Sequence, residues 1–194
     1  MTAAAKADGA LRHELKQFFS MLVGNYIHYP DELKIEVGAM AGGLAVHITP
    51  KEFDYGKVSG RGGENIQALT CIVEAIAIHK KVPLRVMLLG PSIKPAKGPE
   101  IPYVVDRHWT KDRIKPIVME VLRMAGKEHL QVLMRKNTAV PDEYLEYFYI
   151  IEGFGSEEER DFGAALGRLM TAIGRTQGVQ LITPAEDRRA KFSP

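Results

Sequence analysis

Three glycines and one arginine, Gly60 to Gly63, separate two segments with helical patterns and limit how the chain can fold. A short helical segment ends near Val58, and a longer one extends from about Glu64 to Lys80. Glycine adopts positive φ angles and lets another backbone approach closely, so the chain can turn sharply here. The N–H groups that open the second helix lack carbonyl partners and lie at the positive end of its dipole. The run therefore predicts a corner suited to an anion such as phosphate.

The segments around this corner predict a small α+β unit. Leu44, Val46 and Ile48 alternate with other residues, which indicates a half-buried strand. Thr49 and Pro50 have the chemistry of a helix start. The other predicted elements are an amphipathic helix over residues 11–27, strands at 34–38 and 84–89, and the two helices beside the corner. The predicted order of the first half is α-β-β-α-α-β.

The second half repeats this plan without a glycine corner. Its predicted elements are a helix around residues 117–125, strands at 130–134, 144–151 and 179–182, and a helix that begins with a capping box at 156–159. The order is α-β-β-α-β. The triplets at 54–56 and 161–163, Asp-Tyr-Gly and Asp-Phe-Gly, occupy comparable places. We therefore expect a divergent internal duplication, a tandem repeat whose second copy has lost the corner.

A proline-rich basic stretch divides the two halves. Residues 90–116 carry six basic and three acidic side chains and include five prolines, the last of them Pro116. Because proline is excluded from helix interiors and central strands, this stretch is typical of a connector. We predict a first domain over residues 1–89, a linker over 90–110, a second domain over 111–186 and a flexible tail over 187–194.

Composition excludes several classes of protein. The net charge is +2, so no strong basic excess marks a nucleic-acid-binding protein by composition alone. The single cysteine, Cys71, excludes an internal disulfide and a cysteine-based zinc site, and the six histidines show no metal-binding spacing. No targeting segment is visible, and the nearly apolar run at 69–78 is too short for a membrane span. We expect a cytoplasmic protein without metal or membrane contact.

The corner and its flanks resemble a known RNA-binding family. Gly60-Arg61-Gly62-Gly63 is similar to the GxxG loop of KH domains, and the order α-β-β-α-α-β resembles their type II, prokaryotic arrangement. Gly56-Lys57-Val58 and the run at 65–69 resemble the small bacterial KH proteins of the KhpA type. The resemblance covers about residues 11–89. It implies an α+β fold with two KH-like modules, each a three-stranded sheet covered by helices, the second degenerate.

The same resemblance implies a site and a function. The GxxG loop of this family grips the backbone of about four nucleotides of single-stranded RNA. Carried over, the RNA-binding residues are Lys57, Gly60, Arg61, Gly62, Gly63, Asn65 and Gln67. Ribosome biogenesis, transcription-linked RNA contact and RNA chaperoning all fit, with no catalytic residue and no cofactor. Two positions depart from the family: Ser59 stands where a bulky aliphatic residue is usual, and Glu64 where a basic one is common.

Two further features leave alternatives open. Arg107, Trp109 and Lys111 combine basic and aromatic residues, which can contact phosphates and stack on bases, although Trp109 can equally seal the junction between domains. Gly163, Gly167 and Gly174 fall near one side of a predicted helix, and their cost to the helix suggests the close approach of a second helix. That second helix would lie in the same chain or in a homodimer partner.

These observations favour single-stranded RNA binding and leave two rivals. A protein-interaction scaffold that keeps the KH shape would explain the near-neutral charge and the two departures. An enzyme could use the glycine corner to hold a phosphorylated ligand, although the sequence supplies no convincing pair of base and nucleophile.

Overall fold

The structure, a computed structural model, describes residues 3–90, 109–136, 146–176 and 179–182. In the first half these form α1 (Ala3–Gly24), β1 (Lys34–Met40), β2 (Gly43–Thr49), α2 (Tyr55–Ser59), α3 (Glu64–Lys80) and β3 (Leu84–Leu88). In the second half they form α4 (Trp109–Met124), β4 (Gln131–Lys136), β5 (Glu146–Glu152), α5 (Glu157–Thr176) and β6 (Gln180–Ile182). The predicted α+β class and the predicted order of elements are confirmed.

The described strands form two three-stranded sheets of identical topology. In each, the first two strands are antiparallel and the third lies parallel to the second, in the orders β1-β2-β3 and β4-β5-β6. A parallel pair needs a crossover, and it is supplied by α2 and α3 in the first half and by α5 in the second. Both halves thus carry a crossover helix on one face of a small mixed sheet.

Side-chain alternation places the first sheet against α1 and α3. Leu44, Val46 and Ile48 of β2 are buried, as the alternating pattern predicts. On the long helix α1, Leu15 and Leu22 are completely buried at helical spacing. This helix ends at Gly24, three residues earlier than predicted, and the side-chain amide of Asn25 donates to the Met21 carbonyl oxygen there.

The crossover helices α3 and α5 make the main contact between the two halves. They run antiparallel, since the start of α3 meets the end of α5 in one groove and the end of α3 meets the start of α5 in another. Buried side chains of both halves form one continuous hydrophobic cluster.

Two polar contacts fix the halves at opposite ends of this helix pair. Near the end of α3, Glu14 of α1 accepts hydrogen bonds from Lys80, at 3.0 Å, and from Arg123 of α4, at 3.1 Å. Near the end of α5, the Thr176 hydroxyl donates to the carbonyl oxygen of Tyr26, at 2.9 Å. The first half is therefore joined to α4 near the end of α3 and to α5 near the end of that helix.

The sequence predictions for Pro116 and Thr49 need correction. Pro116 lies inside α4, on its exposed side, so the helix extends into the stretch interpreted as a connector. Thr49 is the last residue of β2, where it pairs with Lys34, and α2 follows only after a 3₁₀ turn at Glu52–Asp54. Of the predicted linker, residues 91–108 lie outside the described residues, as does the predicted tail over 187–194.

The glycines of α5 face their own sheet rather than a second helix. A Cβ on Gly163 would lie 2.6 Å from the Phe154 ring, and one on Gly167 would lie 2.3 Å from the Tyr149 hydroxyl. A Cβ on Gly174 would lie 2.7 Å from the carbonyl oxygen of Val179. The expectation of a second helix at these glycines is wrong, because α5 lies too close to its own sheet for larger side chains.

Among the described helices, none has the length and apolar character needed to cross a bilayer.

Candidate nucleic-acid interface

Positive φ angles at three glycines build the corner between α2 and α3. The φ angles of Gly60, Gly62 and Gly63 are 77°, 63° and 85°. At Gly60 a Cβ would lie 2.6 Å from the main-chain nitrogen of Asn65, so this position cannot take a side chain without a shift of the backbone. At Gly62 a Cβ would meet nothing within 4 Å. The corner is therefore tight at its first glycine and open at its third position.

Hydrogen bonds fix the corner on both sides. The Gly60 N–H donates to the Gly56 carbonyl oxygen at 2.9 Å, which closes α2, and the Gly63 N–H donates to Gly60 at 3.2 Å. The Asn65 side-chain amide donates to the carbonyl oxygen of Lys57 at 2.8 Å. This last bond ties the first turn of α3 to the last turn of α2 and holds the two helices at a constant angle.

A groove of about 600 Å³ opens beside the corner, and its opposite wall is α5. From the first half it is lined by Gly56, Lys57, Gly60, Arg61, Glu64 and Asn65, and from α5 by Arg168, Thr171, Ala172, Arg175 and Thr176. Four of these side chains are cationic. Among the lining residues that the structure describes, Glu64 is the only carboxylate. The groove is therefore suited to an anion.

The three arginines of the groove are available to a ligand. Arg61, Arg168 and Arg175 are exposed. Within the described part of the chain none of the three forms an ion pair, whereas Arg123 is paired with both Glu14 and Glu120. Unpaired guanidinium groups that converge on one groove can each donate two parallel hydrogen bonds to a phosphate.

Lys57 lies deeper in the groove than the arginines. Its partial burial lowers the pKa of its ammonium group, and the nearby carboxylate of Asp54 opposes that shift. Partial burial also lowers the pKa of His28, and the positive charge of Lys57 adds to this effect. A bound phosphate would supply a negative charge that compensates the ammonium group of Lys57 for the hydration lost on burial.

Asp54 fixes the position of α2 beside the groove, a role that the sequence did not predict. Its carboxylate is completely buried and accepts the N–H groups of His28, at 2.9 Å, and Tyr29, at 2.8 Å. A buried carboxylate held by two N–H donors links the start of α2 to the chain that follows α1. It thereby fixes where Lys57, three residues later, enters the groove.

The structure brings together four of the residues predicted for the site. Lys57, Gly60, Arg61 and Asn65 line the groove. Gly62 and Gly63 shape the corner but are not part of that lining. Gln67 is exposed on α3, also outside the lining. Arg107 lies outside the described residues. Trp109 and Lys111 lie in the first turns of α4, and their side chains are not among those described.

Sequence reasoning missed the contribution of α5. Arg168, Thr171 and Arg175 recur at spacings of three and four residues, which is a polar stripe on one side of an amphipathic helix. This signal is visible in the sequence. A polar stripe is ordinary on a solvent-facing helix, however, and only the antiparallel packing of α5 against α3 directs it toward the glycine corner.

The opposite end of the α3–α5 pair has the opposite character. A groove of about 430 Å³ there is lined by Glu74, Glu158 and Asp161, together with Cys71, His79 and Lys127. Burial and the neighbouring carboxylates of Glu74 and Asp161 raise the pKa of the Cys71 thiol. Within the described residues, no group of three or more histidine, cysteine, aspartate or glutamate side chains could hold a metal ion.

Comparison with known proteins adds no family assignment. No protein-family model, curated protein or solved structure matches this chain. The resemblance to KH domains therefore depends on the residues of the corner and on the order of the elements around it, and the function has to be argued from the groove.

Proposed function

We propose that this chain binds single-stranded RNA by gripping backbone phosphates at the corner Gly60–Gly63. The observation that carries the proposal is a glycine corner with three positive φ angles at the edge of a groove lined by four cations, of which the three arginines form no ion pair within the described residues. The missing Cβ atoms let a sugar-phosphate backbone approach the corner, and Arg61 and Lys57 supply the positive charge. The start of α3 adds the positive end of a helix dipole.

The KH resemblance supports the same proposal. A helix–corner–helix between two parallel strands, inside a unit of order α-β-β-α-α-β, is the context in which the GxxG motif predicts RNA binding rather than an ordinary turn. The second half shares the sheet topology but has no corner before α5. In this proposal it is a degenerate KH-like module that lacks its own grip.

The groove favours RNA over a small phosphorylated substrate. An enzyme would need an acid–base pair beside the bound phosphate. The described lining offers the carboxylate of Glu64 but no histidine to act with it. The lining also carries four cationic side chains, two on each wall, which fits a polyanion that lies between the walls.

Titration of a labelled mixed-sequence single-stranded RNA tests the proposal. Two double variants of the corner differ only in charge: Arg61→Asp/Gly62→Asp, and the isosteric control Arg61→Asn/Gly62→Asn. Position 62 has space for either side chain, and both residue types tolerate a left-handed backbone, so both variants are expected to fold.

We expect the wild type to bind and to lose affinity as salt rises. The Asn pair should bind more weakly, and the Asp pair should not bind detectably, because two carboxylates repel the phosphates. A folded Asp pair that binds as tightly as the wild type would overturn the proposal. A folded wild type that binds no RNA would also overturn it and would favour the protein-interaction scaffold.

A further inference from the structure

We propose that α5 forms a second binding wall, so that RNA held at the corner lies across the junction of the two halves. In this arrangement Arg168 and Arg175 bind backbone phosphates opposite Arg61. The inference rests on the function proposed above, because it assigns further contacts to the same groove. It also defines the ligand as an extended polyanion, an oligonucleotide chain, rather than a single phosphorylated small molecule.

The charges of the groove are the first evidence for a second wall. Two of the four cations of the groove come from the first half and two from α5. Exposed arginines on a helix are ordinarily paired or solvated away from other cations, because like charges repel. Here Arg168 and Arg175 face the groove that contains Lys57 and Arg61, and none of these arginines is paired within the described residues. An anion between the two walls would relieve this repulsion.

The spacing of the arginines on α5 is the evidence that the ligand is extended. Arg168 and Arg175 are two helical turns apart, which places their Cα atoms about 10 Å apart along the axis of α5. Arg61 lies on the facing wall. Contacts spread over this length suit consecutive phosphates of a nucleic-acid strand, with one phosphate at each guanidinium group.

The attraction of α5 for an anion depends on its side chains, because the helix dipole opposes that attraction here. The groove meets the C-terminal half of α5, where the carbonyl end of the dipole disfavours anions. Glu64 on the facing wall also disfavours them. Attraction to α5 must therefore come from Arg168 and Arg175, and loss of these two side chains should remove the contribution of the wall.

The groove is preorganised for such a ligand. The bond from Thr176 to the Tyr26 carbonyl oxygen fixes the groove end of α5 to the first half. The ion pairs of Glu14 with Lys80 of α3 and Arg123 of α4 join the two halves near the opposite end of α3. RNA can then contact both walls without first ordering them.

The experiment compares two variants that lose the same charge from the same half. Arg168→Ala/Arg175→Ala removes the wall, and Arg160→Ala/Arg135→Ala removes two exposed arginines outside the groove. Each is titrated with the labelled single-stranded RNA at several salt concentrations, beside the wild type and Arg61→Asp/Gly62→Asp. Circular dichroism and thermal unfolding first establish that all four proteins are folded. Adenosine monophosphate is added as a competitor to probe the class of ligand.

We expect Arg168→Ala/Arg175→Ala to bind at least about tenfold more weakly than the control variant. Loss of two phosphate contacts to a single strand should make the slope of log K against log salt shallower by about 1.4. Adenosine monophosphate should not displace the RNA at concentrations where unlabelled RNA does.

The outcomes separate this inference from the proposed function. If Arg168→Ala/Arg175→Ala binds like its control while Arg61→Asp/Gly62→Asp does not bind, the second wall is overturned and the corner stands. If the corner variant binds like the wild type, both proposals fail. Efficient displacement of the RNA by adenosine monophosphate would overturn the assignment of an extended ligand.

Discussion

The side-chain amide of Asn65 donates a 2.8 Å hydrogen bond to the carbonyl oxygen of Lys57, across the glycine corner. The bond joins a residue on the first turn of α3 to a residue near the end of α2. It supplies a partner for a carbonyl that the sharp turn removes from the regular helical pattern. Asn65 thus helps to determine the shape of the corner, in addition to lining the groove.

Asn65→Ala is expected to lower the free energy of unfolding by about 1 kcal/mol, the typical contribution of such a hydrogen bond. It should also weaken RNA binding, because the corner loses its fixed angle. The matched control is Gln17→Ala, since Gln17 is an exposed amide on helix α1 outside the groove lining. Urea denaturation and RNA titration measure both effects. Equal effects of the two substitutions would contradict the role given to Asn65.

Substitutions at two glycines of the corner should differ sharply in stability. Gly60→Ala is expected to cost about 3 kcal/mol, because φ 77° and ψ 171° is a region for glycine and the new Cβ would meet the main chain of Asn65. Gly62→Ala should cost only about 1 kcal/mol, since its left-handed backbone has open space around it. Urea denaturation gives the comparison, and similar losses at both positions would show that the corner is looser than described.

Local chemistry determined the parts of the fold that could be predicted. The alternation at Leu44, Val46 and Ile48 predicted a strand, because successive side chains of a strand point to opposite faces of the sheet. The predicted helix start at Ser156 is confirmed, because its hydroxyl accepts the Glu159 N–H. The return bond differs from that of a capping box, since the Glu159 carboxylate accepts the N–H of Gly155, one residue before the cap. The glycine corner was predictable for the same reason, since only glycine suits its backbone.

Tertiary packing determined the parts that could not be predicted. Arg168 and Arg175 belong to the candidate site only because α5 lies antiparallel to α3, and no local pattern states which helix will face the corner. Pro116 lies inside a helix because the burial of its neighbours Ile114, Ile117 and Val118 outweighs the hydrogen bond that proline cannot donate. Likewise, the glycines of α5 are explained by close contacts that no local pattern indicates: the ring of Phe154 after β5, the hydroxyl of Tyr149 in β5, and the carbonyl oxygen of Val179 before β6.

The close contact at Gly167 tests whether the glycines of α5 face their own sheet rather than a second helix. Gly167→Ala would place a Cβ 2.3 Å from the hydroxyl of Tyr149, a residue that is only 4% exposed. Since neither side can move freely, we expect a loss of about 2 kcal/mol, which is typical of overpacking. Urea denaturation measures the loss, and sedimentation velocity should show the same oligomeric state as the wild type. Unchanged stability together with a changed oligomeric state would restore the interpretation of a second helix.

Glu159 should make stability depend on pH in acid solution. Hydrogen bonds from Lys127 and from the Gly155 N–H lower the pKa of its carboxyl from 4.5 to about 2. Because the folded-state pKa lies below the ordinary one, this stabilisation is complete above about pH 4.5 and is lost as the pH falls toward 2.

The variant Glu159→Gln isolates this effect, because glutamine can still accept the Gly155 N–H but carries no charge for Lys127. It should be less stable than the wild type at neutral pH, and the difference should shrink as the pH falls from 4.5 to 2. Glu158→Gln, an exposed position in the same turn, is the control and should show little change. Thermal unfolding across this pH range measures both. A difference that does not vary with pH would contradict the assignment.

The hydroxyl of Tyr26 gives the last prediction, because the side chain is buried and the hydroxyl has no hydrogen-bond partner among the described residues. Burial without a partner raises the pKa of this phenol above its usual value and disfavours the folded state. Tyr26→Phe removes the hydroxyl and keeps the ring, while the main-chain bond from Thr176 to residue 26 is unaffected. We expect the free energy of unfolding to rise by about 1 kcal/mol, measured by urea denaturation. A fall in stability would mean that this hydroxyl makes a stabilising bond in the folded protein.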